Sequence, residues 1–234
     1  QTYESFGTQT PGSKRLRQSI VPHAPYSVSR SLFGLIGRHA GGAIQSIHNQ
    51  ESEDENLFYK NRTGGVCDLL STLGIDYSSF EPTGRTSLQS YLEWWAPQSP
   101  AILVHNTRSN WEDVQHARTQ LKDHYWCLCP NANLYIEGAL PFTDLMVMEP
   151  ANICIGTDSL ASNHRLCVLS ELYTLKQHFP TLSWETLLTW GTHNGARALQ
   201  MDDLLGTLVP GKQPGIVHIT GLETAEQPQV KRVV

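Results

Sequence analysis

The 234-residue chain carries 17 Lys and Arg against 22 Asp and Glu, for a net charge of −5 with 39% hydrophobic and 17% charged residues. That balance suits a globular domain with a buried core and excludes a disordered chain. It leaves no basic footprint for nucleic acid, no apolar run of the roughly 18–20 residues that a membrane-crossing helix needs, and no signal-peptide pattern at the N-terminus. The cysteines (Cys67, Cys127, Cys129, Cys154 and Cys167) are odd in number and lack CxxC spacing. They read as reduced thiols of a cytoplasmic protein rather than a disulfide framework or a metal site. Cys127 and Cys129, two apart on an expected strand, share one face and read as core. The chain opens on Gln1 rather than Met, as expected of a fragment.

In chain order, the first expected strand is the apolar run Ser19–Pro25, "SIVPHAP", followed by a helix in "SRSLFGLIGRHAGG" closed by its glycines. "AIQSIHNQ" (Ala43–Gln50) is the second strand, with helical material in "DENLFYKNRTGGVCDLLSTLG". "DYSSFEPTGRTSLQSYLEWWAPQSP" reads as an insertion. "AILVHNT" (Ala101–Thr107) is the third strand, and Asn110 is placed to cap the helix in "NWEDVQHARTQL". "HYWCLCPNANL" (His124–Leu134) is the fourth, broken by Pro130, and "NICIGTDS" (Asn152–Ser159) the fifth, before the helix in "LCVLSELYTLKQHF". Strand then helix, five times over, with nearly continuous apolar runs, predicts an α/β fold of parallel strands covered on both sides. No internal repeat beyond this alternation and no low-complexity linker is visible.

Chemistry-bearing residues collect at the strand ends. His23, His48, His105, Cys129 and Asp158 follow at spacings of 25, 57, 24 and 29 residues. One βα unit of an eight-fold barrel takes roughly 30 residues, and such barrels work at the C-terminal ends of their strands. Imidazoles with a carboxylate are a ligand set for a catalytic divalent metal. Asp158 alone also reads as a cap for the helix after it. Glu51, three residues beyond His48, is placed either to move protons over a substrate or to join the run Glu53, Asp54 and Glu55, which reads as solvated. Asn131 and Asn133 in "PNAN" are candidates to line the site, with turn formation as the equal alternative. "EWW" (Glu93–Trp95) reads as packing before base stacking, and "NRT" (Asn61–Thr63) as a chance match to a glycosylation acceptor.

"VPHAPYSVS", "IHNQES", "LVHNT", "LCPNANL", "GTDSLASN" and "THNGARAL…GTLVPGKQPGIVHI" occur in that order. Together they resemble the amidohydrolase superfamily, in its branch of cytosine, guanine, S-adenosylhomocysteine and aminodeoxyfutalosine deaminases and triazine chlorohydrolases. The resemblance runs from about Ser19 to the tail. It implies that His48 and Asp158 are metal ligands, that Asp158 also takes a proton from the attacking water, and that Glu51 is the proton shuttle. It further implies that His105 orients the water or the tetrahedral oxygen and that His23 contacts substrate. The family's His-x-His pair, which supplies two more ligands, occurs nowhere in this sequence.

The expected fold is therefore the C-terminal part of a (β/α)8 barrel, about five βα units over residues 1–199, strands four to eight. Residues 200–234 would form the C-terminal return of a small β-sandwich. The expected activity is metal-dependent hydrolytic deamination of an amino-substituted purine or pyrimidine. The expected cofactor is one divalent ion, zinc with iron as the other candidate. The partner is a small heterocycle, without nucleic acid or membrane, and a homo-oligomer is left open. The alternatives are a non-catalytic binding or subunit-contact module, or hydrolysis of a cyclic amide or a halogenated triazine.

Overall fold

In the computed structural model, which describes residues 16–223 and 228–233, four apolar segments pair into one parallel sheet. The strands β1 (Gln45–Asn49), β2 (Ala101–His105), β3 (His124–Leu128) and β4 (Ile153–Ile155) lie side by side in chain order. Gln45 is in register with Ala101, Ala101 with His124, and Trp126 with Ile153. Ile47, Leu103, Trp126, Leu128 and Ile153 are buried on the helix-covered face, each contributing roughly 1.5–3 kcal/mol or more of apolar burial. Ile102 and Cys154 pack on the opposite face against Val104 and Cys127, in a smaller cluster. Parallel strands followed by helices make this a segment of a (β/α) barrel. No helix among the described residues is long and apolar enough to cross a membrane.

The helices follow from their caps. Helix α1 (Arg30–Ala40) starts where the Ser29 hydroxyl accepts the Leu32 N–H at 3.3 Å, and it stops at Gly41 with φ +58°. The material after β1 forms two helices rather than one, α2 (Glu53–Asn61) and α3 (Gly65–Thr72), separated where Arg62 turns left-handed at φ +56°. α4 (Ser87–Tyr91) and the tight turn Leu92–Trp94 fill the insertion. α5 (Trp111–Gln120) carries the expected Asn110 cap, which accepts the Asp113 N–H at 2.9 Å. Pro130 opens helix α6 (Pro130–Glu137), where its missing N–H costs nothing. α7 (Thr143–Met148), α8 (Val168–His178), α9 (Trp184–Thr189) and α10 (Gly195–Ala198) complete the helical layer.

One expected strand does not form. Ser19–Ala24 is irregular and runs into a tight turn at Pro25–Ser27, so the sheet has four strands and not five. Pro22 and Pro25 lack the N–H groups that a ladder needs. What remains is a single bond from the His48 N–H to the His23 carbonyl, 3.0 Å long. Past residue 200 the pairing changes character: β5 (Val217–Thr220) and β6 (Gln229–Arg232) are antiparallel and separate from the main sheet. The expected limits at residues 1 and 234 lie outside the described residues.

Candidate metal and catalytic centre

The C-terminal ends of β1 and β2 bring three side chains together. Glu51 Oε1 lies 3.4 Å from His105 Nε2, and Glu51 Oε2 lies 4.0 Å from His48 Nδ1. One potential ligand atom from each of the three falls within 4.8 Å of the others. The His23 ring sits 4.9 Å from that of His48, and the His48 ring 5.1 Å from that of His105. Asp158 lies outside the three-residue group. Its charge reaches both His48 and Glu51, and its carboxylate accepts the Ser162 hydroxyl. The cap reading of Asp158 is removed, because α8 begins at Val168 with Cys167 at its cap position.

Backbone geometry concentrates here as well. Gln50, His105, Asn106 and Asp158 all have positive φ, at +46°, +77°, +61° and +53°. Left-handed backbone is uncommon outside glycine and costs of order 1–3 kcal/mol where other contacts enforce it. At His105 it ends the strand alternation that places Ala101 and Leu103 against the helices. Gly156 leads into the Asp158 loop because a Cβ there would meet Cys127 Sγ at 2.9 Å and Cys129 Sγ at 3.1 Å.

Charge at the centre is mutually set. The Glu51 carboxylate pushes His48 above its ordinary range against the opposing effect of burial. Burial acts to raise Glu51, but the hydrogen bond with His48 opposes it, and the carboxyl lies below its ordinary range. Glu51 is therefore ionised at rest and able to receive a proton.

Behind the centre lies a dry polar scaffold. Gln50 is fully buried, and its side chain donates to Asp113 at 2.9 Å and to Asn56 at 3.1 Å and accepts the Ser109 hydroxyl at 2.6 Å. The Asn49 amide donates to Asn106 at 2.9 Å and accepts from Tyr91 at 2.8 Å. Glu55, expected in a solvated run, is 1% exposed. Its carboxyl accepts the Gln50 N–H at 2.9 Å, the Ser87 hydroxyl and the backbone of Glu51, so it grips the turn that carries Glu51. Burial without a cation pushes its pKa up to about 7. No signal in the sequence separates Glu55 from Glu53 beside it.

A second buried acid holds the Asp158 loop. Glu171 accepts the Asn131 N–H at 2.8 Å and the Asn131 and Asn163 side-chain amides at 2.9 and 2.7 Å, and burial raises its pKa. Asn163 donates onward to the Thr157 carbonyl at 2.7 Å. Asn131 therefore serves this loop rather than the centre, whereas Asn133 Oδ1 lies 2.9 Å from His105 Nδ1.

These residues fit a divalent ion. His105 Nε2 is buried and has no hydrogen-bond partner among the described residues, yet it faces an ionised carboxylate. Two imidazoles and a carboxylate are a donor set for zinc and its neighbours.

Residues 79–233 match the sequence profile of the amidohydrolase family. Over 205 residues the chain is 26% identical to a 5-methylthioadenosine/S-adenosylhomocysteine deaminase of Teredinibacter turnerae, covering 85% of this chain and 42% of that protein. It is 24% identical to an adenosine deaminase of Helicobacter pylori, covering 81% and 47%. The crystal structure of an adenosine deaminase from Xanthomonas campestris with bound zinc superposes with a TM-score of 0.74 at 23% identity, covering 96% of this chain and 49% of that one. Helicobacter pylori aminofutalosine deaminase in complex with methylthio-coformycin gives 0.71 at 21%, covering 92% and 54%. The chain spans about half the length of each of these proteins.

Proposed function

We propose a function from one premise: this chain belongs to the amidohydrolase family. The activity is metal-dependent hydrolysis of a carbon–nitrogen bond, the removal of ammonia from an amino-substituted purine or pyrimidine. The observation that carries it is Glu51, ionised between two strand-end imidazoles with the Asp158 charge in reach. The names of the aligned relatives favour the purine nucleoside end of that substrate range. The division into a barrel segment to residue 199 and a sandwich segment from 200 belongs to the same proposal. The change from parallel to antiparallel pairing supports it. Five free cysteines fit a reducing, cytoplasmic setting.

His48 and Asp158 would hold the divalent ion, zinc in this proposal, while His105 would orient the attacking water and Glu51, beside both imidazoles, would stay free to carry protons. Such an ion supplies Lewis acidity that makes water a nucleophile near neutral pH. The exposed His23 ring contacts the heterocycle. As the water oxygen bonds to the ring carbon bearing the amino group, the Asp158 carboxylate takes a proton from that water. The ionised Glu51 takes the other proton of that water and delivers it to the adjacent ring nitrogen. The carbon–amino bond then breaks, ammonia leaves with the proton that Asp158 held, and a ring carbonyl remains.

The test is ammonia release by the zinc-loaded protein from a panel of aminopurine nucleosides, aminopyrimidines, a cyclic amide and a chlorotriazine. Turnover of an aminopurine or aminopyrimidine that chelation abolishes is the expected result. Tight zinc binding without turnover of any of them would overturn the reading in favour of a binding module.

A further inference from the structure

We infer that Asn133 is a positioning residue that locks His105 in the tautomer with its proton on Nδ1, leaving the Nε2 lone pair aimed at Glu51. The inference concerns the centre described above but does not depend on deamination. Asn133 sits on α6 and His105 ends β2, and both are 0% exposed. The Asn133 side-chain amide makes two contacts with the same residue: Nδ2 to the His105 carbonyl at 3.2 Å and Oδ1 to His105 Nδ1 at 2.9 Å.

A backbone carbonyl can only accept, so the amide must present its NH2 group there. Flipping it would set its oxygen against the carbonyl oxygen in a dry site and lose the bond to that carbonyl. With NH2 committed to the carbonyl, Oδ1 must face the ring. Oδ1 can only accept, so the proton between them belongs to Nδ1. In the neutral ring the other nitrogen then carries a bare lone pair. That atom, Nε2, is the one that is buried without a hydrogen-bond partner, 3.4 Å from Glu51 Oε1.

The consequence is an arrangement of two electron pairs facing each other. The Nε2–H tautomer would relieve it by donating to Glu51, and His105 would cease to be a ligand or an acceptor. Asn133 withholds that option. The left-handed φ of +77° at His105 is what offers its carbonyl and its ring to one amide.

The test reads the ring itself. In 15N-labelled, metal-free protein at pH 8, two-bond 1H–15N correlation of the histidine rings distinguishes the tautomers, with His105 assigned by its loss in His105→Gln. The native protein should show Nδ1 protonated and Nε2 bare. Asn133→Leu, similar in volume, should convert His105 to the Nε2–H tautomer. Asn133→Asp loses the bond to the His105 carbonyl but keeps an acceptor at Nδ1, so the proton on Nδ1 should persist there, which loss of packing alone would not produce. Far-UV circular dichroism checks that each variant is folded, and the native and Asp spectra decide the matter if the Leu variant is not. A native ring protonated on Nε2, alone or on both nitrogens, would overturn the assignment, as would an unchanged tautomer in folded Asn133→Leu.

Discussion

Glu51 is the residue at which packing and chemistry make opposite predictions. A solvated glutamate before a helix would tolerate Glu51→Gln within a few tenths of a kcal/mol and keep turnover. Here the carboxylate is held between His48 and His105, and the substitution keeps its size while removing the group proposed to move a proton. We expect at least about a hundredfold loss of ammonia release, since such groups contribute roughly 10²–10⁴-fold. Retained metal, measured alongside the rate, separates this loss from a collapsed site, and near-normal turnover would return Glu51 to the surface run. Glu51 could be singled out from its spacing to His48, although spacing alone left both roles open. Glu55 could not, because its burial depends on Ser87, 32 residues further on, closing over it.

At the scale of elements, the loop after β4 is the tightest joint. Gly156 packs its backbone against two sulfurs, and Gly156→Ala would bring a methyl within 2.9 Å of Cys127 Sγ. Relief requires β3 or the Asp158 loop to shift, at a cost of about 1–3 kcal/mol. A lowered Tm and weaker zinc binding in the same variant are the expected readings, and an unchanged Tm would show that the joint is slack. The strands and helices that sequence reasoning placed well carry their own local signals. "AILVH" is apolar throughout, and Asn110 caps α5 from four residues of local sequence. Ser19–Pro25 has the apolar content but not the donors, so composition suggested a strand that its two prolines prevent. The contacts that hold the Asp158 loop were equally hidden, since Glu171 reaches Asn163, and through it the Thr157 carbonyl, only after α8 has packed.

For the whole molecule, the buried acids couple stability to pH. Glu55 has a folded pKa of about 7 against the ordinary value of 4.5. Between those values the folded protein keeps a proton that the unfolded chain has released. Stability is therefore full below about pH 4.5, falls as pH rises, and levels off above about 7. The contribution is roughly 3 kcal/mol at most. Urea unfolding between pH 4.5 and 8 should show this decline in the native protein and a flatter profile in Glu55→Gln. Parallel profiles for the two would remove Glu55 as the source. His48, also shifted upward, adds in the same direction, so the comparison with Glu55→Gln isolates the buried acid.

The contacts that define the centre join residues far apart along the chain: 28 positions from His105 to Asn133, 57 from Asn49 to Asn106, and 63 from Gln50 to Asp113. Each demands that a long loop be closed before any of its interaction energy returns, the regime in which parallel pairing is slow. Helices such as α1 and α5, with caps encoded within a few residues, have no such delay. A chain leaving the ribosome would thus acquire most of its helical content while His48 and His105 are still strangers. The candidate centre would assemble only with the docking of β1 onto β2.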